Sequence, residues 1–157
     1  MKKIAKSTLG VTLLEIMLVL AIAAMIILVS VRYYQSANSS QQANSVLSQV
    51  LAITVAADSL AQSSGSYQVA NISTNTLQPL LSNGANAFIT PWGTNITVGS
   101  PQANSYDVMI PDAPAGVCSL LVSKLNTNNH YSSLTPATPD ACTGGTTTIS
   151  YTYLANP

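Results

Sequence analysis

Few side chains in this 157-residue chain could do chemistry, and one of them lies where a charge is costly. Glu15 stands near the start of the apolar run 11–31, in which the other polar residues are Thr12 and Ser30. An unpaired acid at the centre of a membrane-spanning helix costs roughly 2.5 to 3.5 kcal/mol. We therefore expect Glu15 to have a partner, and we expect that partner to indicate what the chain does.

The other candidate residues are two cysteines and one histidine. Cys118 and Cys142 follow an export-type segment, where oxidation is permitted, and we predict that they form a disulfide. A metal site is the competing interpretation, but two thiols and His130 fall short of a closed tetrahedral set. The sequence has neither Cys-x-x-Cys spacing nor a Gly-x-Ser-x-Gly motif, and His130 lies in a polar stretch typical of a solvated loop. We expect no catalytic site, no metal and no cofactor.

The apolar run follows a short basic segment. Residues 1–10 contain three lysines and no acid, a bias that keeps this end cytoplasmic and sends the rest of the chain across the membrane. Residues 11–31 are long enough to span a hydrocarbon core of about 30 Å. A cleaved secretory signal is the alternative, since Ala21-Ile22-Ala23 has the small-x-small pattern of a cleavage site. We favour an anchor, because Glu15 would fall inside the apolar part of such a signal.

The anchor continues into a second helical segment. Residues 11–64 contain neither glycine nor proline, so nothing there forces the backbone out of a helix. Residues 32–64 repeat apolar positions at spacings of three and four, which predicts an amphipathic continuation that packs on another element. These positions are Ala43, Val46, Leu47, Val50, Leu51, Thr54, Ala57, Leu60 and Ala61.

Residues 65–157 are predicted to form a small globular head of the α+β class. Short β-branched or aromatic runs at 94–98, 106–110 and 146–154 predict an antiparallel sheet laid on the amphipathic half of the long helix. A short helix is predicted at 76–81, and a second is predicted to start at Asp112 or Ala113 with Pro114 in its first turn. After Val31 the chain contains two basic residues and four aspartates, an excess of negative charge. Nucleic acid is therefore not an expected partner.

The N-terminal residues resemble the type IV prepilin signature. The likeness lies in the basic leader, Gly10 and the segment Val11-Thr12-Leu13-Leu14-Glu15. The residues of this segment are most similar to those of type IVb members. The resemblance implies that a dedicated peptidase cuts after Gly10 and methylates the new amine of Val11. It also implies that Glu15 neutralises the Val11 amine of a neighbouring subunit, because opposite charges attract strongly in a low dielectric. A Glu15 that stays protonated in a passive anchor is the alternative.

A second likeness lies in the head. Pro91-Trp92-Gly93, Tyr106-Asp107-Val108, Pro111, Pro114 and Cys118 follow an order that is similar to thin-pilus and bundle-forming type IVb pilins. The likeness covers roughly residues 90–125.

The two likenesses together imply a structural subunit of a surface filament for adhesion, aggregation, conjugation or a related contact. The expected partners are other pilin subunits, the prepilin peptidase, the assembly machinery of the bacterial inner membrane and, before assembly, membrane lipid. The expected location is a single inner-membrane pass with the C-terminus outside, and then the extracellular fibre. The alternative is a minor pilin, pseudopilin or membrane-anchored recognition protein that does not form the bulk of the fibre.

Overall fold

The computed structural model describes residues 12–156, and its first element is a long helix, α1, from Leu13 to Ser64. The helix spans the segment that lacks glycine and proline, and it ends where Gly65 adopts a φ of +93°. The predicted leader 1–10 and the predicted mature N-terminus Val11 lie outside the described residues. The described residues divide into two compact units, one that ends at Ala37 and one that starts at Asn38, which are considered separately below.

The second unit contains a four-stranded antiparallel sheet in the order β1-β2-β4-β3. The strands are β1 (Thr97–Gly99), β2 (Ser105–Pro114), β3 (Tyr131–Thr135) and β4 (Thr146–Leu154). The long central strands β2 and β4 alternate buried and more exposed residues, as expected of a sheet with one face on a core. The predicted α+β fold, a long N-terminal helix packed on a small antiparallel sheet, is confirmed.

Two further α-helices lie in the head. α2 (Thr74–Leu77) is preceded by Ser73, whose hydroxyl caps the helix by accepting the N–H of Thr76, and a 3-10 helix continues it over Gln78–Leu80. α3 (Ala115–Leu125) approaches α1 closely at Gly116, where an added Cβ would lie 3.0 Å from the Ser39 hydroxyl oxygen. Two other short 3-10 helices are Gly84–Phe88 and Pro139–Ala141.

The core of the head lies between the sheet, α3 and the part of α1 that belongs to the second unit. One stripe of α1 is buried, as the spacing of its apolar residues predicts. The stripe consists of Ala43, Val46, Val50, Ile53, Ala56 and Ala57. The sheet contributes Tyr106, Val108, Ile110, Ile149, Tyr151 and Tyr153, and α3 contributes Val117, Cys118, Leu121, Val122 and Leu125.

Several element boundaries differ from the sequence-based expectation. β2 continues to Pro114 because an irregularity between Ile110 and Ala113, with Asp112 at a φ of +54°, lets the strand pair again beyond it. α3 therefore starts at Ala115, and Pro114 precedes its first turn rather than lying in it. β1 starts at Thr97 rather than at residue 94, because Thr94 closes a turn in which its carbonyl accepts the Thr90 N–H at 2.8 Å.

Candidate functional site

The start of α1 places Glu15 in the first turn of the helix. The N–H of Glu15 is donated to the Thr12 carbonyl at 3.0 Å, and it also lies 3.3 Å from the Thr12 hydroxyl oxygen. Threonine followed three residues later by glutamate is the sequence of a capping box. An acid in the first turn also interacts favourably with the helix dipole. Thr12 is thus a structural determinant of this region, and the Thr-x-x-Glu spacing could have identified it from the sequence.

The segment of α1 from Ile16 to Val29 is apolar on every side. From Ile16 to Leu20 every residue is a large aliphatic or methionine side chain that is at least half exposed. Successive helical residues point about 100° apart, so five in a row surround the helix. The most apolar 18-residue window of α1 has a mean hydropathy of 2.8. This helix is long and apolar enough to cross a membrane.

Glu15 lies on the helix surface against apolar neighbours. Together with Ile16, Val19 and Leu20 it lines a shallow groove along one face of the helix. The structure places the carboxylate of the predicted charge pair here, whereas Gly10 and Val11 lie outside the described residues. The cleavage site, the methylated amine and the pairing of Glu15 with Val11 therefore stay predictions.

A basic and aromatic cluster follows the apolar run. Arg32, Tyr33 and Tyr34 are consecutive residues of α1, and the two tyrosine side chains are highly exposed. Tyrosine and arginine side chains are favoured where a membrane meets water, because each combines an apolar body with a polar end. The cluster is placed as expected for the end of a membrane-spanning segment.

The two cysteines lie at disulfide distance in the head. Cys118 is on α3, Cys142 follows the 3-10 helix Pro139–Ala141, and their Cα atoms are 5.8 Å apart. Both side chains are buried. This pair connects α3 to the segment that leads into β4.

Asp58 is the acceptor in a tyrosine cluster that the sequence analysis did not identify. The phenol of Tyr67 donates to one oxygen of the Asp58 carboxylate at 2.5 Å, and that of Tyr153 donates to the other at 3.3 Å. The ring of Tyr106 lies 5.2 Å from that of Tyr67 and 5.1 Å from that of Tyr153, centroid to centroid. These residues come from α1, the turn after it, β2 and β4, so no local spacing in the sequence joins them.

Burial and the nearby carboxylate make these phenols hard to ionise. Burial is the larger cause that raises the pKa of Tyr153 to about 12, and the negative charge of Asp58 adds to it. The pKa of Tyr67 is raised more than that of Tyr153. Burial is the largest cause, and the hydrogen bond to Asp58 is the second. Burial also raises the pKa of Tyr106. These phenols therefore remain protonated at neutral pH, and those of Tyr67 and Tyr153 donate to Asp58.

His130 and Trp92 both have structural contacts. His130 lies in the turn before β3, as a loop residue is expected to. Its imidazole is half-buried, stacks on the Tyr153 ring at 5.6 Å and has Nδ1 2.7 Å from the Leu154 carbonyl oxygen, so it is packed rather than fully solvated. Trp92 donates its indole N–H to the Pro111 carbonyl at 2.9 Å and packs on the core.

Within residues 12–156 no group of three or more His, Cys, Asp and Glu side chains is placed to hold a metal ion.

Comparison of the chain with protein-family models, with curated proteins and with solved structures gives no match.

Proposed function

We propose that this chain is the precursor of a structural subunit of a type IVb-like pilus, and that it polymerises through its N-terminal helix into a surface filament. The observation that carries the proposal is Glu15 in the first turn of α1, at the start of its apolar segment, with Gly10-Val11-Thr12 directly before the helix in the sequence. The fold supports it too, because α1 combines an apolar first part with a second part packed on an α+β head.

The processing step gives Glu15 its partner. A peptidase that cuts after Gly10 would release the basic leader and leave a cationic amine on Val11, four residues before Glu15. Methylation of that amine retains its positive charge. In a stack of such helices, the carboxylate of one subunit would neutralise the amine of the next, and a charge pair in apolar surroundings specifies register because a shifted helix leaves both charges unpaired.

The same apolar surface would serve two environments in turn. Before assembly, lipid would cover the exposed side chains of residues 13–31, with the leader in the cytoplasm and the head outside the inner membrane. After assembly, the helices of neighbouring subunits would replace the lipid. The cysteine pair supports an extracytoplasmic head, because disulfides persist in oxidising compartments.

The partners in this proposal follow from the two steps. The prepilin peptidase would act on the leader, and the pilus assembly machinery in the inner membrane would move the processed helix from lipid into the fibre. Other copies of the chain would then form the filament, whose surface would consist of heads. Adhesion, aggregation and conjugation are the contacts that such a fibre supports.

Mass analysis of the N-terminus tests the proposal. The exported protein should begin at methylated Val11. Gly10→Val, which changes the residue before the cut, should instead leave the chain starting at Met1. An exported wild-type protein that begins at Met1 or at Ala24 would contradict the proposal, the latter because it would show cleavage of a secretory signal after Ala23.

A further inference from the structure

A polar cavity of about 300 Å³ opens beside the C-terminal end of α1, within the second unit of the chain. A water molecule occupies about 30 Å³ in the liquid, so the cavity has room for a small organic group. Residues from the C-terminal end of α1, from the turn that follows it, from the loop before β2 and from the C-terminal end of β4 form its walls. The polar residues among them are Asp58, Gln62, Ser66, Tyr67, Asn104 and Tyr153.

Asp58 is the charged residue of this wall, and it has no counter-charge within the second unit. Apart from His130, whose Nδ1 lies against the Leu154 carbonyl, the basic side chain of residues 38–156 is Lys124. Lys124 instead donates to the side-chain oxygen of Asn44 at 2.8 Å. The carboxylate therefore borders the cavity with neutral phenols as its hydrogen-bond partners in this part of the chain.

The carboxylate still has room for further donors. An ionised carboxylate offers about four acceptor positions, and the phenols of Tyr67 and Tyr153 take two of them, one on each oxygen. The amide oxygens of Gln62 and Asn104 and the hydroxyl of Ser66 are further acceptors around the same space. One negative charge surrounded by neutral oxygen atoms favours a cation with several donors.

The chemistry of the wall selects among cations. Calcium takes six to eight oxygen ligands and is usually held by several carboxylates, whereas this cavity offers one carboxylate. A primary ammonium group has three N–H donors and one positive charge, which match one carboxylate oxygen and two neutral acceptors. A quaternary ammonium has no donor, and the rings of Tyr67 and Tyr153 are too deeply buried to offer it an open aromatic face.

We propose that this cavity binds a primary ammonium group, which pairs with Asp58 and donates to the neutral oxygen atoms around it. The group is a free alkylamine or the side chain of a lysine, and Lys124 of a second copy is one such lysine. The site lies at the C-terminal end of α1, and none of its residues belongs to the apolar segment 13–31, so the proposal does not rest on the pilus function.

The test is a titration of the full-length chain in detergent micelles with n-butylammonium chloride, followed by backbone nuclear magnetic resonance. The amide signals of Gln62, Gly65 and Asn104 should shift and saturate. Tetramethylammonium chloride at the same concentration, which has the charge but no donor, should leave them in place. Equal shifts with both cations, or no saturable shift with butylammonium, would overturn the proposal, and neither result depends on a variant that has to fold.

Two matched substitutions test whether the carboxylate of Asp58 binds the ammonium group. Asp58→Asn should raise the half-saturating butylammonium concentration about tenfold or more, since the ammonium group would lose its charged acceptor. Asp107→Asn is the control, because Asp107 is exposed, accepts the Thr152 hydroxyl at 2.7 Å and lies outside the cavity. Equal affinity in wild type and in a folded Asp58→Asn would overturn the assignment.

If Asp58→Asn does not fold, Asn104→Leu at the exposed rim of the cavity should weaken butylammonium binding instead. Unchanged binding in Asn104→Leu would count against the site.

The same amide signals distinguish a free amine from the lysine of a second copy. Shifts that grow with protein concentration alone and disappear in Lys124→Gln would identify the ligand as the lysine of a second copy. Shifts that require added butylammonium and persist in Lys124→Gln would identify an external amine. Either result supports an ammonium site at Asp58.

Discussion

At the scale of single residues, Glu15 has two physical roles that different substitutions separate. Its N–H is bonded to Thr12 at the start of α1, and its position in the first turn suits the helix dipole. Its charge is the part that the proposed filament requires. Glutamine keeps the size and the hydrogen-bonding capacity of glutamate, and it can also serve at the third position of a capping box.

Replacing Glu15 by glutamine should therefore stop filament formation while the chain is still cleaved and inserted. The expected loss is of fibres seen by electron microscopy, because the amine of a neighbouring subunit would stay unpaired in apolar surroundings. Thr12→Ala is the comparison: it removes the capping hydroxyl, which stabilises a helix by about 1 kcal/mol, and it leaves the charge in place. Normal fibres from Glu15→Gln would show that the helix cap, and not the charge, is what assembly uses.

The tyrosine cluster makes the head sensitive to alkaline pH. A phenol titrates near pH 10 in the unfolded chain, whereas the pKa of Tyr153 is raised to about 12 in the folded head. The folded state thus holds more protons between these values, and its stability is complete below about pH 10 and falls as the pH rises towards 12. Denaturant unfolding followed by circular dichroism should show this decline, and the phenolate absorbance should appear together with unfolding.

Asp58→Asn should weaken that dependence on pH, because it removes the negative charge that helps to raise the pKa values of Tyr67 and Tyr153. Burial, the larger cause, remains, so the decline should become smaller rather than vanish. Asp107→Asn, which changes a carboxylate outside the cluster, should leave it unaltered. A pH profile of Asp58→Asn that coincides with that of wild type would contradict this account of the cluster.

At the scale of elements, patterns that are local in the sequence were sufficient to predict most of the fold. The absence of glycine and proline predicted α1, and alternation predicted β4 over its whole length. β3 was not predicted, because its residues are mostly polar and Ser133 adopts a φ of +53°. Its pairing with β4 defines this strand. Leu51 belongs to the apolar pattern of α1 yet is half exposed, whereas Ile53, outside the predicted set, is buried.

Two valines of α1 provide a matched test of how the helix packs. Val50 is 1% exposed and Val55 is 68% exposed, although both lie in the same helix and in the same unit. Val50→Ala should lower the free energy of unfolding by about 2 kcal/mol, from lost burial and an incompletely filled cavity. Val55→Ala should change it by less than about 0.5 kcal/mol. Denaturant unfolding of the two variants in one detergent provides the comparison, and equal losses would contradict the packing described here.

The cysteine pair should contribute measurably to the stability of the head. A disulfide between Cys118 and Cys142, 24 residues apart in the sequence, would restrict the unfolded chain, and a loop of that length corresponds to roughly 3 to 4 kcal/mol. Reductant should therefore lower the denaturant midpoint of the wild-type chain. The double variant Cys118→Ala/Cys142→Ala should be insensitive to reductant. A wild-type midpoint that reductant does not move would mean that the pair carries no covalent bond.

At the scale of the whole molecule, the two candidate sites differ in how far the sequence could predict them. Glu15 and its surroundings form one continuous stretch, so charge, hydropathy and spacing were enough to single it out. The cavity at Asp58 is assembled from α1, the turn after it, the loop before β2 and the end of β4. In the sequence, Asp58 is one polar residue at the edge of an amphipathic stripe, and nothing near it indicates a site. Only the folded head brings it to Tyr67 and Tyr153.

The most direct test of the proposed filament is cryo-electron microscopy of fibres sheared from cells that produce the chain. We expect the chain, starting at Val11, to be the repeating subunit of the fibre. The helical residues 13–31 should pack at the fibre centre, with each Glu15 carboxylate within hydrogen-bond distance of a neighbour's Val11 amine. Fibres built from a different protein, with this chain retained in the membrane fraction, would contradict it.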